Sequence, residues 1–401
     1  MATDGTNVYF STHDSFREDS SFVFAIRTSD DTEVNFPAGS LDTILYGKPF
    51  SSVIGKVSTV TGNTITGLAV QKTGNYLFVA RAGYGANNFR VLHKTTGALT
   101  QSYTLTGCKG LSVDNSNNVW VIQGTTITKF GVNSDGTLTG ALVTITGLDE
   151  PLATQVSPDG IILAVIDAGT TQQVKFFNNS TGAATSTFGT AGGYFTDATV
   201  TNNKFYFSDL GSKNPTYQNF ITYDSDGSLW INDPGNKRTQ HYNSSLSYLN
   251  NVLFIGNSYS TWVDANNINR VFNSFMEFNV DYSVQTPTGM AGWNLSKNWG
   301  ANVTTTYGDN HNTLKPVTLS NGRTYCLISK GAQKEVVELV AGGAMRFTGI
   351  LFPNEFGNSS FLADNGSMQR SIDSSTYIVL YKRLPLTGFD GSNNPIMGNH
   401  W

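Results

Sequence analysis

A three-strand unit returns along this chain at intervals of about 40–50 residues, a period that belongs to solenoids and propellers. One copy runs Gly67-Leu68-Ala69-Val70, turns at Lys72-Thr73-Gly74-Asn75, and continues as Tyr76-Leu77-Phe78-Val79-Ala80 and Phe89-Arg90-Val91-Leu92. The next places Gly110-Leu111-Ser112-Val113, Asp114-Asn115-Ser116-Asn117-Asn118, Val119-Trp120-Val121-Ile122 and Thr126-Ile127-Thr128-Lys129-Phe130 at the same positions. A third follows through Ser157-Pro158-Asp159-Gly160, Ile161 to Asp167 and Gln173 to Phe177. A fourth is read from Phe195 to Asp209, with a polar insertion from Lys213 to Gln218, and the clearest spans Phe220 to Tyr242. Looser copies lie around Arg270 to Tyr282, Arg323 to Leu339 and Phe361 to Leu384, and an N-terminal one around Asn7 to Ile26.

Short apolar runs at regular spacing, divided by Gly, Asn and Asp turns and without an amphipathic helix, predict an all-β fold. Radial packing leaves such sheets only short, protected edges, so the expectation is a single β-propeller domain over 1–401, part of a longer protein. The copies predict about eight blades, with seven as the alternative. The choice turns on whether Phe195 to Asp209 and Phe220 to Tyr242 are separate blades or one blade with an insertion.

Charged residues are only 13% of the chain, but 39% hydrophobic and 12% aromatic content supplies enough apolar surface to order the backbone. A net charge of −4 and the absence of long Lys/Arg clusters exclude a phosphate-tracking surface, so no nucleic-acid partner is expected. No apolar run reaches the roughly 18 residues of a membrane span. The low charge and the Asn/Ser/Thr/Gly surface point to a secreted or cell-surface bacterial module acting as a monomer, whose export signal would precede Met1. Cys108 and Cys326 read as buried thiols.

The stretch Asp226-Gly227-Ser228-Leu229-Trp230-Ile231-Asn232-Asp233-Pro234-Gly235-Asn236-Lys237-Arg238 resembles the NHL repeat, in which an Asp-Gly turn leads into a strand ending in Asp, followed by Gly-Asn and an Arg. Phe188 to Phe195 is similar to that family's Gly-rich blade junction, whereas other copies carry Arg81 or Gln123 where the repeat has Asp. The resemblance implies a propeller and leaves function open, since NHL-like propellers include binding modules and a few enzymes.

Aligned copies put Thr12, Arg81, Gln123, Asp167, Asp209 and Asp233 where the second strand runs into its loop. In a radial fold these positions share one face, where Asp167, Asp209 and Asp233 would offer oxygen ligands to calcium or another divalent cation, or select a cationic or hydroxyl-rich ligand. The alternative is that each Asp caps its own loop. The Asp-Gly turns at Asn133 to Gly136, Ser157 to Gly160 and Asp224 to Gly227 lack an EF-hand's further ligands and read as tight hairpins. Five scattered histidines offer no metal-ligand pair, and neither a Gly-x-Ser-x-Gly elbow nor a phosphate-binding loop occurs.

Trp120 and Trp230 fall inside second strands and are expected in the core between sheets, while Trp293 and Trp299 lie in an irregular stretch where a ligand surface is expected. These readings favour a non-catalytic module binding a polysaccharide, protein or peptide through one face. The alternatives are a metal-assisted lyase or hydrolase at the acidic positions and a structural spacer in an adhesin.

Overall fold

The computed structural model describes residues 1–13, 21–32, 34, 36, 64–82, 86–195, 199–207, 219–253, 261–264, 267–284, 292–302, 314–318, 322–330, 333–353, 360–362, 368–372, 377–381, 386–389 and 395–397. The chain divides into two compact units. The first comprises Met1–Gly193, Asn214–Pro234 and Arg238–Val252; the second comprises Tyr194–Lys213, Gly235–Lys237 and Leu253–Trp401.

The first unit holds five sheets in chain order. Sheet one is β1 (Ala2–Thr3), β2 (Asn7–His13) and β3 (Ser21–Arg27). Sheet two is β4 (Thr64–Val70), β5 (Tyr76–Ala82), β6 (Phe89–His93) and β7 (Leu99–Tyr103). Sheet three is β8 (Cys108–Val113), β9 (Val119–Gln123), β10 (Thr126–Val132) and β11 (Leu138–Ile145). Sheet four is β12 (Pro151–Val156), β13 (Ile162–Asp167), β14 (Gln173–Asn178) and β15 (Ala184–Phe188). Sheet five is β16 (Ile221–Tyr223), β17 (Leu229–Asp233), β18 (Arg238–Tyr242) and β19 (Tyr248–Leu253).

The second unit begins with a sheet of β20 (Thr261–Asp264), β21 (Asn267–Asn273), β22 (Met276–Val280) and β23 (Trp293–Asn298). A second is β24 (Val317–Thr318), β25 (Thr324–Lys330), β26 (Gln333–Leu339) and β27 (Met345–Pro353). Smaller sheets follow, one of β28 (Ser360–Leu362), β29 (Met368–Ile372) and β30 (Tyr377–Tyr381), the other of β31 (Leu386–Phe389) and β32 (Pro395–Met397). The fold is the all-β, β-propeller class: consecutive antiparallel meanders, six of them four-stranded among the described residues. The described helical residues are short 3₁₀ turns, and among the described residues no helix is long and apolar enough to cross a membrane.

Side-chain alternation explains why second strands read as unbroken apolar runs. Leu77 and Val79 of β5 pack with Tyr9, Val23 and Ala25 of sheet one, while Phe78 and Ala80 pack with Leu111, Val119 and Val121 of sheet three. Trp120 and Ile122 of β9 then point the other way, joining Val156, Leu163 and Val165 of sheet four. β5 and β9 are thus covered on both faces, so Leu77 to Ala80 and Val119 to Ile122 are apolar throughout. The fourth strands lie outside this layer, and Ala184 to Thr187 of β15 are exposed.

Hairpin turns use left-handed glycines where an L side chain would be strained: Gly160 has φ 76° and Gly227 has φ 83°. In both turns an Asp closes the loop by accepting from the N–H two residues on, Asp159 Oδ1 from Ile161 at 3.0 Å and Asp226 Oδ1 from Ser228 at 2.9 Å.

The fourth sequence copy is not a separate blade among the described residues. Gly193–Phe195 forms a 3₁₀ turn, Thr199 makes a lone antiparallel bridge to Lys297, and Lys204 to Phe207 are buried without strand pairing. A short continuous apolar run looks the same in a sequence whether it is a strand or an irregular buried segment, which is why Phe205-Tyr206-Phe207 imitated a strand.

Candidate functional site

In the first unit, the first-hairpin turns of successive sheets are tied to one another. Asn117 in the β8–β9 turn donates to Thr73 Oγ1 at 2.7 Å, and its carbonyl accepts from Gln71 Nε2 at 2.9 Å, joining sheet three to sheet two. Asn115 in the same turn donates to the Pro158 carbonyl at 2.8 Å, joining sheet three to sheet four. The series stops there: among the described residues no hydrogen bond links the Ser157 to Gly160 turn with the Asp224 to Gly227 turn of sheet five. A cleft of about 450 Å³ opens between them instead.

The cleft is lined by the apolar side chains of Ile162, Phe176, Leu229 and Leu246, with the exposed Pro158, and by hydroxyl residues that include Thr185 and Ser186 of β15. Asp159 and Asp226 stand at its rim, and no Lys or Arg lines it. Both carboxyls sit below their ordinary value, Asp159 because the Ser157 hydroxyl and the Ile161 N–H stabilise its charge, Asp226 because the hydroxyl and N–H of Ser228 do so. Tyr223 projects from β16 into the same space, and burial, reinforced by the Asp159 charge, pushes its phenol above the ordinary range. It therefore remains a hydrogen-bond donor at any ordinary pH. The edge-on contact of Phe188 with Tyr242, ring centroids 4.9 Å apart, joins sheets four and five.

Arg81, Gln123, Asp167 and Asp233 lie at or next to the ends of second strands, and local partners hold the side chains of Arg81, Asp167 and Asp233. Arg81 is buried and donates from Nη2 to the Asn87 carbonyl at 2.9 Å, bracing the loop after β5. Gln123 ends β9 in backbone register with Thr126 and Cys108. Asp167 is fully buried, accepts from the N–H groups of Asp149 and Glu150 at 3.0 and 2.7 Å, and pairs with Lys175 at 2.5 Å. Asp233, also fully buried, faces Arg238 across the β17–β18 hairpin at 2.8 Å. Each of these carboxylates holds a cation of the chain itself, and Asp209 lies outside the described residues. Among the described residues no group of three His, Cys, Asp or Glu converges as a metal site would require.

The tryptophans divide differently from expectation. Trp120 is core, its indole N–H donating to Asn179 Oδ1 at 2.8 Å. Trp230 is half-buried, stacked on His241 with centroids 4.0 Å apart and donating to Asp224 Oδ2 at 2.9 Å. It projects from the face of β17 opposite Leu229, and the exposed Asp224 satisfies its indole, so full burial is not required. Trp299, expected on a ligand surface, is 1% exposed, packs with Phe272 and Cys326, and donates to Glu277 Oε2 at 2.7 Å. Trp293 of β23 is half-buried, edge-on to Phe278 at 5.6 Å.

Ser228, His241 and Asp224 meet on sheet five in a grouping that invites comparison with a hydrolytic triad. His241 Nε2 lies 3.0 Å from Ser228 Oγ and 3.6 Å from Asp224 Oδ2, so one ring nitrogen faces both partners. A proton relay needs the acid on the opposite nitrogen, and Ser228 Oγ already donates directly to Asp224 at 3.2 Å. The cluster orients a turn and an indole.

The fold and the cleft define an all-β propeller protein with an acidic-rimmed groove between two adjacent sheets. No protein-family profile matches the chain, and no curated protein matches it. Solved structures resemble it at low identity. A Bacteroides fragilis protein provisionally named a 6-phosphogluconolactonase is 15% identical, over 87% of this chain and 95% of that one, with a TM-score of 0.40. A Lactobacillus plantarum protein is 12% identical over 85% and 99%, with a TM-score of 0.41, and a chain of a nidogen/laminin complex is 11% identical over 63% and 78%, with a TM-score of 0.41. Likeness at this level transfers neither activity nor ligand.

Proposed function

We propose that this chain is a non-catalytic binding module that seats a segment of a partner protein or peptide in the cleft between sheets four and five. The observation that carries the reading is the break in the turn-to-turn hydrogen bonds at that place, which leaves a groove of ligand-binding size lined by Ile162, Phe176, Leu229 and Leu246 and by Tyr223. The low charge and the Asn/Ser/Thr/Gly surface support action outside the cell or on its surface, as a monomer. Fractionation of the native host, and light scattering of the purified protein, test those two points; a cytosolic or dimeric protein would contradict them.

We further propose that the propeller is NHL-like. The Asp and Arg that end its best-matching repeat, Asp233 and Arg238, form a buried cross-strand pair, which gives the repeat pattern a structural reason. Homologous sequences in which these two positions vary independently would count against it.

The binding reading is tested with a positional-scanning library of capped hexapeptides, and with a glycan array as the competing ligand class. The expected result is saturable peptide binding that Ser186→Trp abolishes, since this exposed outer-strand position lines the cleft and tolerates a bulky side chain without disturbing the core. Glycan binding without peptide binding, or peptide binding indifferent to Ser186→Trp, would overturn it.

A further inference from the structure

We infer that the cleft selects a basic side chain, a Lys or Arg carried on an extended peptide; this rests on the proposed seating of a peptide there. The argument is one of charge and shape complementarity at the place where neighbouring turns fail to meet. Along the groove the floor is hydrocarbon, from Ile162, Phe176, Leu229 and Leu246, and the rim is acidic, from Asp159 on one sheet and Asp226 on the other. A long basic residue has the same division, an apolar stem and a cationic head, and buries the first while keeping the second at a polar edge.

The carboxylates are free to receive it. Each spends Oδ1 on its own turn, Asp159 on the Ser157 hydroxyl and the Ile161 N–H, Asp226 on the Ser228 N–H. No Lys or Arg of the chain lines the cleft to neutralise them. This differs from Asp114, Asp167, Asp233 and Asp264, each of which has a Lys or Arg of the same chain within 3.4 Å. Those four carboxylates are buried and need an internal cation, whereas Asp159 and Asp226, like Asp135 and Asp281, are exposed turn carboxylates held by their own turns; what sets Asp159 and Asp226 apart is that both line one cleft with an apolar interior. The hydroxyls of Ser186 and Tyr223 lie where they can bond the peptide amides flanking such a residue.

The test uses the best hexapeptide from the library, resynthesised with Lys, Nε-acetyl-Lys and norleucine at the basic position, and titrated by calorimetry at two salt concentrations. The Lys form is expected to bind roughly tenfold more tightly than the other two, because two rim-exposed ion pairs each contribute only a few-fold, and the advantage should shrink at high salt. Asp159→Asn and Asp226→Asn keep the Oδ1 acceptor of each turn, so the fold is retained, which circular dichroism melting verifies; together they should erase the preference for Lys while weak binding of the peptide remains. Equal binding of the Lys and acetyl-Lys forms, or a double variant that still prefers Lys, would overturn the inference and leave the peptide-binding reading standing. Absence of binding by any peptide in the library would overturn both.

Discussion

Replacing Lys129 by Met removes a buried charge at a junction between sheets three and four while keeping most of the volume of the side chain. Lys129 Nζ lies 2.6 Å from Asp114 Oδ2, donates to the Asn179 carbonyl at 3.0 Å and to Asn179 Oδ1 at 3.3 Å, and sits 5.5 Å from the Trp120 ring centre. Lys129 and Asp114 are 8% and 2% exposed, so water cannot replace the lost partner. Breaking a buried pair from one side costs about 3–5 kcal/mol. Asp114 keeps the N–H groups of Ser116 and Asn118, each at 2.9 Å, which places Lys129→Met at about 3 kcal/mol. Adding Asp114→Asn retains an acceptor for those N–H groups and removes the orphaned charge, so the double variant should recover about 1–2 kcal/mol. Urea unfolding, with hydrogen exchange read by mass spectrometry over β8 to β10, measures both; the single variant should speed exchange there roughly 100-fold. A loss below about 1 kcal/mol, or a double variant worse than the single, would refute the account of the pair as a compensated buried charge.

Three further outcomes follow from other parts of the molecule. Glu338 is held down to about 2 by bonds from Arg323 and by Arg346, below its unfolded value near 4.3, so the stabilisation it provides is fully present above about pH 4.5 and lost as pH falls through 2; Glu338→Gln should flatten the acid limb of a melting-temperature profile, and an unchanged limb would contradict this. Gly227→Ala should cost about 1 kcal/mol through its positive φ alone, because the nearest atom to the added methyl, Ser244 Cβ, is 3.6 Å away; a neutral result in urea would show that the turn relaxes. Burial pushes the Cys108 thiol up to about 12 and Cys326 is buried as well, so neither should react with a thiol reagent until denaturant is added.

The sequence made the inner architecture readable because burial on both faces writes itself as runs such as Val119-Trp120-Val121-Ile122, and because left-handed turns demand Gly or Asn. The fourth strands were not readable: Ala184 to Thr187 and Gly140 to Leu142 are exposed, and without a continuous buried face such strands carry no period that separates strand from loop. Gln123, Asp167 and Asp233 end second strands and Arg81 lies one residue short of one, while Asp209 lies outside the described residues; the charge partners of the two Asp are cross-strand neighbours, Arg238 opposite Asp233 and Lys175 diagonal to Asp167, whose meaning appears only once register is known. The cleft had a partial signal in the two Asp-Gly turns. What opens it is a missing contact between them, and a gap in tertiary structure leaves no local pattern.

The interruption between sheets four and five also bears on how fluctuations spread. Sheets two, three and four are latched through Asn117, Thr73, Asn115 and Pro158, so a transient opening in one is resisted by its neighbours, whereas sheet five rests on sheet four through packing such as Phe188 against Tyr242. That boundary is a seam, and sheet five is free to breathe without unzipping the others. An occupant spanning from Asp159 to Asp226 would stitch it shut, so occupancy of the groove should be felt as slower amide exchange along β17 and β18, strands whose backbone it need never touch.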